Sequence, residues 1–285
     1  MSIARFASPL ALGAMLAVAA PARAPLARGF TYDLVQRTQS TNPMNGGAQD
    51  VVAMRAHVQV DAAGHTRVDF ADAARNPLWS TGDYAIISGS SIQIISPQKK
   101  EVLDLGPDMG MGSMQEFMKA MGADMKITDG AIAFDSLPGS DVVNGHPTKH
   151  FHITREATTS MTTPMGAMDI PVKSEIDYYV TRDRAPQNSA FIAPGLSSGM
   201  GAMISAPALE RMRTLVGGMK GFVMKMVTHS TSTMMGMSTD ITATVEVQDL
   251  LEADVASIPI APPAGYAKAN LADRMRAMSP RPPGS

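Results

Sequence analysis

Run after run of this chain alternates apolar with polar residues, and clusters of Gly, Asn and Asp separate the runs. In 168–182, Ile176, Tyr178 and Val180 fall on one side of a period of two, with Glu175, Asp177 and Tyr179 between them. That period puts successive side chains on opposite faces of a strand. Turn-forming clusters between such runs predict antiparallel hairpins. The pattern predicts strands over 29–40, 51–60, 66–70, 83–88, 91–97 and 99–105, a meander filling the first third. It resumes over 125–134, 142–160 and 168–182, and a last long hairpin is predicted over 219–233 and 237–250.

The period changes twice. Met114, Phe117, Met118 and Met121 fall at i, i+3, i+4 and i+7, one face of a helix. Ser113 and Glu116 make a capping box before it and Gly122 a stop after it. A second helix is predicted over 206–216. Ser205 can cap it, Pro207 is tolerated in its first turn, and Gly217-Gly218 ends it. Its buried side would be Leu209, Met212 and Val216. No fixed-period repeat and no Pro- or Gly-rich linker divides the chain. The expectation is one α+β domain over 25–270: a curved antiparallel sheet with two or more helices covering its concave face. The tail, 271–285, is expected to be a short helix or poorly ordered.

The first residues speak to the compartment. Arg5 is a short basic region, Pro9 to Ala20 is apolar, and "ARA" at 22–24 is a small-x-small cleavage site. That order predicts a secretory signal over 1–24 and an exported mature chain, periplasmic or extracellular. No other stretch approaches the roughly 20 apolar residues of a spanning helix, so no stable membrane insertion is expected. There is no Cys, which excludes disulfides, thiolate metal sites, cysteine nucleophiles and a lipid-modified cysteine. The formal net charge is −2, and both Arg5 and Arg23 belong to the leader. A mildly acidic chain without a basic block has no electrostatic case for nucleic acid. No sequence motif implies a cofactor.

Four stretches follow one another in a familiar order: "GDYAIISGSSIQIISPQKKEVLDL" (82–105), "VNGHPTKHFHI" (143–153), "SEIDYYVTRD" (174–183) and "IPIAPPAGY" (258–266). In these the chain resembles exported bacterial domains of unknown function that look like the lipoprotein-carrier (LolA/LolB-like) superfamily, over about residues 30–268. The resemblance implies an incomplete antiparallel barrel with helices plugging its concave side. It also implies an apolar cavity, which holds acyl chains in the better-understood relatives. No ligand-binding residue of those carriers can be matched here. The helix-face residues Met114, Phe117, Met118 and Met121, with Leu209 and Met212, are the candidates to line or lid such a cavity.

Methionine is as frequent as glycine, 24 of each. It clusters at Met109, Met111 and Met114, at Met161, Met165 and Met168, and at Met234, Met235 and Met237. The last two clusters lie on strand tips otherwise built of Ser and Thr. Three readings compete. Met is a good filler of irregular gaps, it makes adaptable walls for apolar ligands, and its thioether is a soft ligand that selects Cu(I). The third makes Met161, Met165, Met168, Met234, Met235 and Met237 candidate metal ligands. Thioethers can also act as a reversible oxidant sink.

His150 and His152 alternate along one strand and share a face; Phe151 and Ile153 occupy the other. The pair is expected on the solvent side. With His146 it could hold Zn²⁺ or Cu²⁺ only if further ligands converge. "GLSSG" (195–199) matches a nucleophile-elbow pattern at Ser197, but that motif has meaning only between a strand and a helix of a parallel sheet. The reading that follows is an exported, non-catalytic protein that binds a hydrophobic small molecule or lipid. Its alternative is a Met-rich copper(I)-binding protein. Neither a protein partner nor an oligomeric state is legible.

Overall fold

In a computed structural model, the described residues are 28–42, 47–73, 79–89, 91–105, 118–119, 122–163, 166–182, 204–234 and 237–278. Among the described residues thirteen strands and two helices with described bounds follow in chain order. The strands are β1 (Gly29–Asn42), β2 (Gly47–Val60), β3 (Thr66–Ala73), β4 (Tyr84–Ser88), β5 (Ser91–Ser96), β6 (Glu101–Asp104), β7 (Asp124–Ser136), β8 (Asp141–Val143), β9 (His146–Thr163) and β10 (Gly166–Thr181). Then come α1 (Ala206–Gly218), β11 (Phe222–Met234), β12 (Met237–Ala253), β13 (Ala267–Ala269) and α2 (Leu271–Met278).

All thirteen strands belong to one sheet, ordered β13-β6-β5-β4-β3-β2-β1-β12-β11-β10-β9-β7, with β8 pairing β9 off that path. Every pairing is antiparallel except β13 on β6. The sheet is open, with β7 and β13 at the ends of the described order. This corrects the expected fold class. The chain is dominated by one large open sheet, and its two described helices are short. They do not cover a concave face. Of the helix predicted over 113–122, Met118, Lys119 and Gly122 are described; the first two are helical and Gly122 is a turn residue with φ 78°.

The Ser/Thr-rich segments 36–42, 154–163 and 228–234, most of which the sequence already places in strands, stay in the ladders, because β-branched Thr suits a pleated surface and pairs across strands. β9 therefore runs 18 residues and β12 17, against a usual 5–6. At about 3.4 Å per residue β9 is about 60 Å long.

One face of the sheet carries the main core. Phe30, Tyr32 and Leu34 of β1, Val58 of β2, Phe70 of β3, Ile153 of β9 and Tyr178 of β10 are buried in a single cluster that takes in most strands. We refer to this as the inner face. Tyr32 meets Phe222 edge-on with ring centroids 5.4 Å apart, and Phe70 stacks on Trp79 at 4.8 Å. Such aromatic pairs contribute about 0.5–1.5 kcal/mol beyond their buried area.

The short strands β4–β6 are apolar on both faces. On the outer side Ile86, Ile95 and Val102 form a second cluster with Ile258, and Tyr84, Val255 and Tyr266 pack around it. The Pro-rich segment 254–266 is thus the cover of that outer face. Asp61 fastens it. One carboxylate oxygen accepts the backbone N–H groups of Ala63 and His65, each at 2.9 Å. The other accepts the N–H of Ile258 at 2.9 Å and lies 3.1 Å from His65 Nδ1. Burial pushes this carboxyl up, yet the backbone donors led by Ile258 outweigh it and hold Asp61 below the usual carboxylate range.

Candidate functional site

Against the inner face α1 lays one apolar stripe. Ser205 caps the helix in an extended conformation, its hydroxyl accepting the N–H of Ala208 at 3.3 Å. Pro207 occupies the first turn, where a missing N–H costs nothing. Ala208, Leu209 and Met212 are buried, with Leu215 and Val216 partly so. The same cluster contains Met219 just beyond the helix and Met224 and Met226 of β11. The core cluster that α1 shares with the sheet thus includes four buried thioethers, Met212, Met219, Met224 and Met226. After it the chain turns tightly, because a Cβ on Gly221 would overlap the carbonyl of Thr181.

The N-terminus of α1 is tied to the sheet by polar groups. Asp129 of β7 accepts from the Ser205 hydroxyl and from Arg155 of β9, the latter at 3.0 Å. Arg155 is 4% exposed and stands on the inner face between Ile153 and Ala157. Arg211 donates to the Ile132 carbonyl at 3.3 Å. The helix is thus anchored by hydrogen bonds at its start and near its middle, and its apolar side rests on the core.

Of the residues proposed from sequence to line a cavity, the structure brings Leu209 and Met212 into this cluster. Met118 is helical and half-buried; Met114, Phe117 and Met121 lie outside the described residues. Of the candidate metal ligands, Met161 and Met168 are half-buried and directly opposed across β9 and β10. Met234 and Met237 are opposed across β11 and β12, and Met237 is half-buried. Met165 and Met235 lie outside the described residues, as do Met109, Met111, Ser197 and the predicted signal. Met125 was missed; it lies opposite Met161 on the other side. Register is not readable from one strand, so no local signal could have found it.

His150 and His152 point away from the core. Both lie 2.8 Å from the same Asp177 oxygen, and His150 stacks on Tyr179 at 4.6 Å. Asp177 was missed as their partner because it reaches them from β10, opposite His152. Burial raises the Asp177 carboxyl, but hydrogen bonds from His152 and His150 more than offset this and hold it below the usual range. His229 bonds to Thr242 at 2.9 Å. Among the described residues no group of three or more His or carboxylate side chains is disposed to hold a metal ion.

Two described clefts open on the surface. One of about 500 Å³ is lined by Asn144, His146, Met224, Gln248, Asp249 and Leu250. The other, about 400 Å³, runs among Thr128, Asp129, Glu156, Lys173 and Thr231. The first is lined mainly by polar residues, and the second mixes polar side chains with Ala157, Pro171 and Val172, so neither matches the apolar cavity expected from the resemblance. No described helix is long and apolar enough to cross a membrane.

No protein-family model matches the chain, and no curated protein matches its sequence. Among solved structures it is similar to LprF from Mycobacterium bovis, at 10% identity over 83% of this chain and 89% of that one, with a TM-score of 0.21. It is also similar to MucB in complex with MucA(peri), at 8% identity over 80% of this chain and 94% of that one, with a TM-score of 0.18. At these TM-scores neither likeness bears on the fold or the role.

Proposed function

We propose that this is an exported, non-catalytic binding protein that takes up an apolar ligand, a lipid or acyl-chain-like molecule, between α1 and the inner face of the sheet. The observation that carries this reading is the presence of four buried thioethers, Met212, Met219, Met224 and Met226, in the core cluster that α1 shares with the sheet. Met is unbranched, has three rotatable side-chain bonds and is polarizable, so a wall built of it repacks at lower cost than one of Ile or Val. The cluster is closed in this structure. A ligand enters by displacing thioethers while Ser205, Asp129 and Arg155 keep the start of α1 in place. Neither polar cleft offers an apolar guest comparable contact.

The test is titration of the mature chain with a fluorescent polyunsaturated fatty acid, followed by competition with a non-fluorescent one. Saturable, competable binding is expected. Met212→Ile and Met224→Ile keep the core apolar but stiffen it, and each should weaken binding while the melting curve stays cooperative. Absence of saturable binding, or wild-type affinity in both variants, would overturn the reading.

A further inference from the structure

Three thioethers form a row where the inner face approaches the ends of its long strands. Met161 of β9 is opposed to Met168 of β10 on one side and to Met125 of β7 on the other. Directly opposed residues on neighbouring strands project from the same face, with Cβ atoms about 4.5–5.5 Å apart. That face is the inner one, since Ile153, Ala157 and Thr159 share it on β9 and are buried. Met125 is buried, and Met161 and Met168 are half-buried. Two positions away along each strand, on the same face, stand Ile127, Thr159 and Ile170. No charged residue occupies those neighbouring positions.

A core role for Met would place it in sealed interior. Here two of the three are partly open to water, on hairpin ends otherwise built of Ser and Thr. Packing alone gives no reason for thioethers at three adjacent cross-strand positions.

We propose that Met125, Met161 and Met168 form a binding site for a soft monovalent metal ion, Cu(I). Thioether sulfur is a soft ligand, so the row discriminates against Ca²⁺ and Mg²⁺, which take oxygen. Three neutral ligands without a neighbouring carboxylate cannot offset a divalent charge in a half-buried site, whereas they suit a single positive charge. The flexible Met stems let the flanking sulfurs swing towards the central one. The site is separate from the four thioethers of the core that α1 shares with the sheet, and neither proposal depends on the other.

The test uses the mature chain under anaerobic, reducing conditions, with Cu(I) supplied as its bicinchoninate complex. The wild type should withdraw one equivalent from the chelator. Met125→Leu, Met161→Leu and Met168→Leu nearly conserve volume, a class of change that usually costs under about 1.5 kcal/mol. Each should therefore stay folded by circular dichroism yet lose that equivalent, while Met224→Leu and Met226→Leu retain it. Ag(I) added to protein carrying ¹³C-methyl methionine should shift the Met125, Met161 and Met168 methyl signals together. The proposal is overturned if the wild type does not compete, if the triple Leu variant still takes the ion, or if Met237→Leu alone abolishes uptake.

Discussion

Tyr178 stands at the middle of the inner face with its ring wholly buried, and among the described residues its hydroxyl has no hydrogen-bond partner. Burial pushes its ionisation far above the ordinary tyrosine range, so the phenol stays neutral. An unsatisfied buried hydroxyl costs on the order of 1–3 kcal/mol. Tyr178→Phe should therefore leave the melting temperature unchanged or raise it, and a fall of several degrees would show that the hydroxyl has a partner in solution. One position earlier, on the opposite face, the situation reverses. Asp177 is held ionised by His152 and His150. A carboxyl whose folded pKa is depressed contributes stability above its unfolded pKa, about 3.9, and loses it as pH falls through the lower folded value. The stability gap between wild type and Asp177→Asn, measured by urea melts, should thus shrink as pH falls from about 5 to about 2. A gap that stays constant over that range would remove the two histidines as the source of the effect. Residue types on β9 and β10 were readable in advance, including which face the histidines take. Their shared acid was not, because it comes from another strand.

At the scale of elements, the segment 254–266 behaves as a strap across the outer face of β4–β6, and Asp61 is its buckle. Asp61→Asn keeps one oxygen for the N–H groups of Ala63 and His65, but its amide would set a donor against the N–H of Ile258. The expected result is faster hydrogen exchange at Ile258 and across β4–β6, with the 61–65 turn still protected. Equal protection in both proteins would show that the apolar contacts of Ile258 alone hold the strap. The two kinds of element were unequally legible. α1 announced itself through Ser205, Pro207 and the apolar spacing of Leu209, Met212 and Val216, all local signals. The strap did not, since "IPIAPP" has no period and acquires its role only from the apolar outer face it meets. The short apolar runs "AII" in β4 and "II" in β5 were the available hint. A strand that needs cover on both faces reads as a continuous apolar run rather than an alternating one.

For the whole molecule, the consequence of long Thr-rich strands is a sheet whose inner face grades from Tyr and Ile near the core to Thr, Ser and Met towards the hairpin ends. The antiparallel meander of β1–β6 followed from local patterning. The closing pair β1–β12, which joins residues some two hundred positions apart, could not. Nor could the openness of the sheet. The helical spacing over 206–216 is met by α1, but the curved, helix-covered sheet inferred from it and from 113–122 is replaced by one large open sheet. What remains for function at this scale is the proposal that Met212, Met219, Met224 and Met226, buried in the core that α1 shares with the sheet, rearrange to admit an apolar ligand. Native mass spectrometry of the mature chain, starting at Pro25 and purified gently from an exporting host, tests that claim most directly. The account predicts a lipid-sized adduct that organic extraction removes and that Met212→Ile and Met224→Ile diminish. A bare mass in the gently purified wild type, with no adduct regained on adding fatty acid, would contradict it.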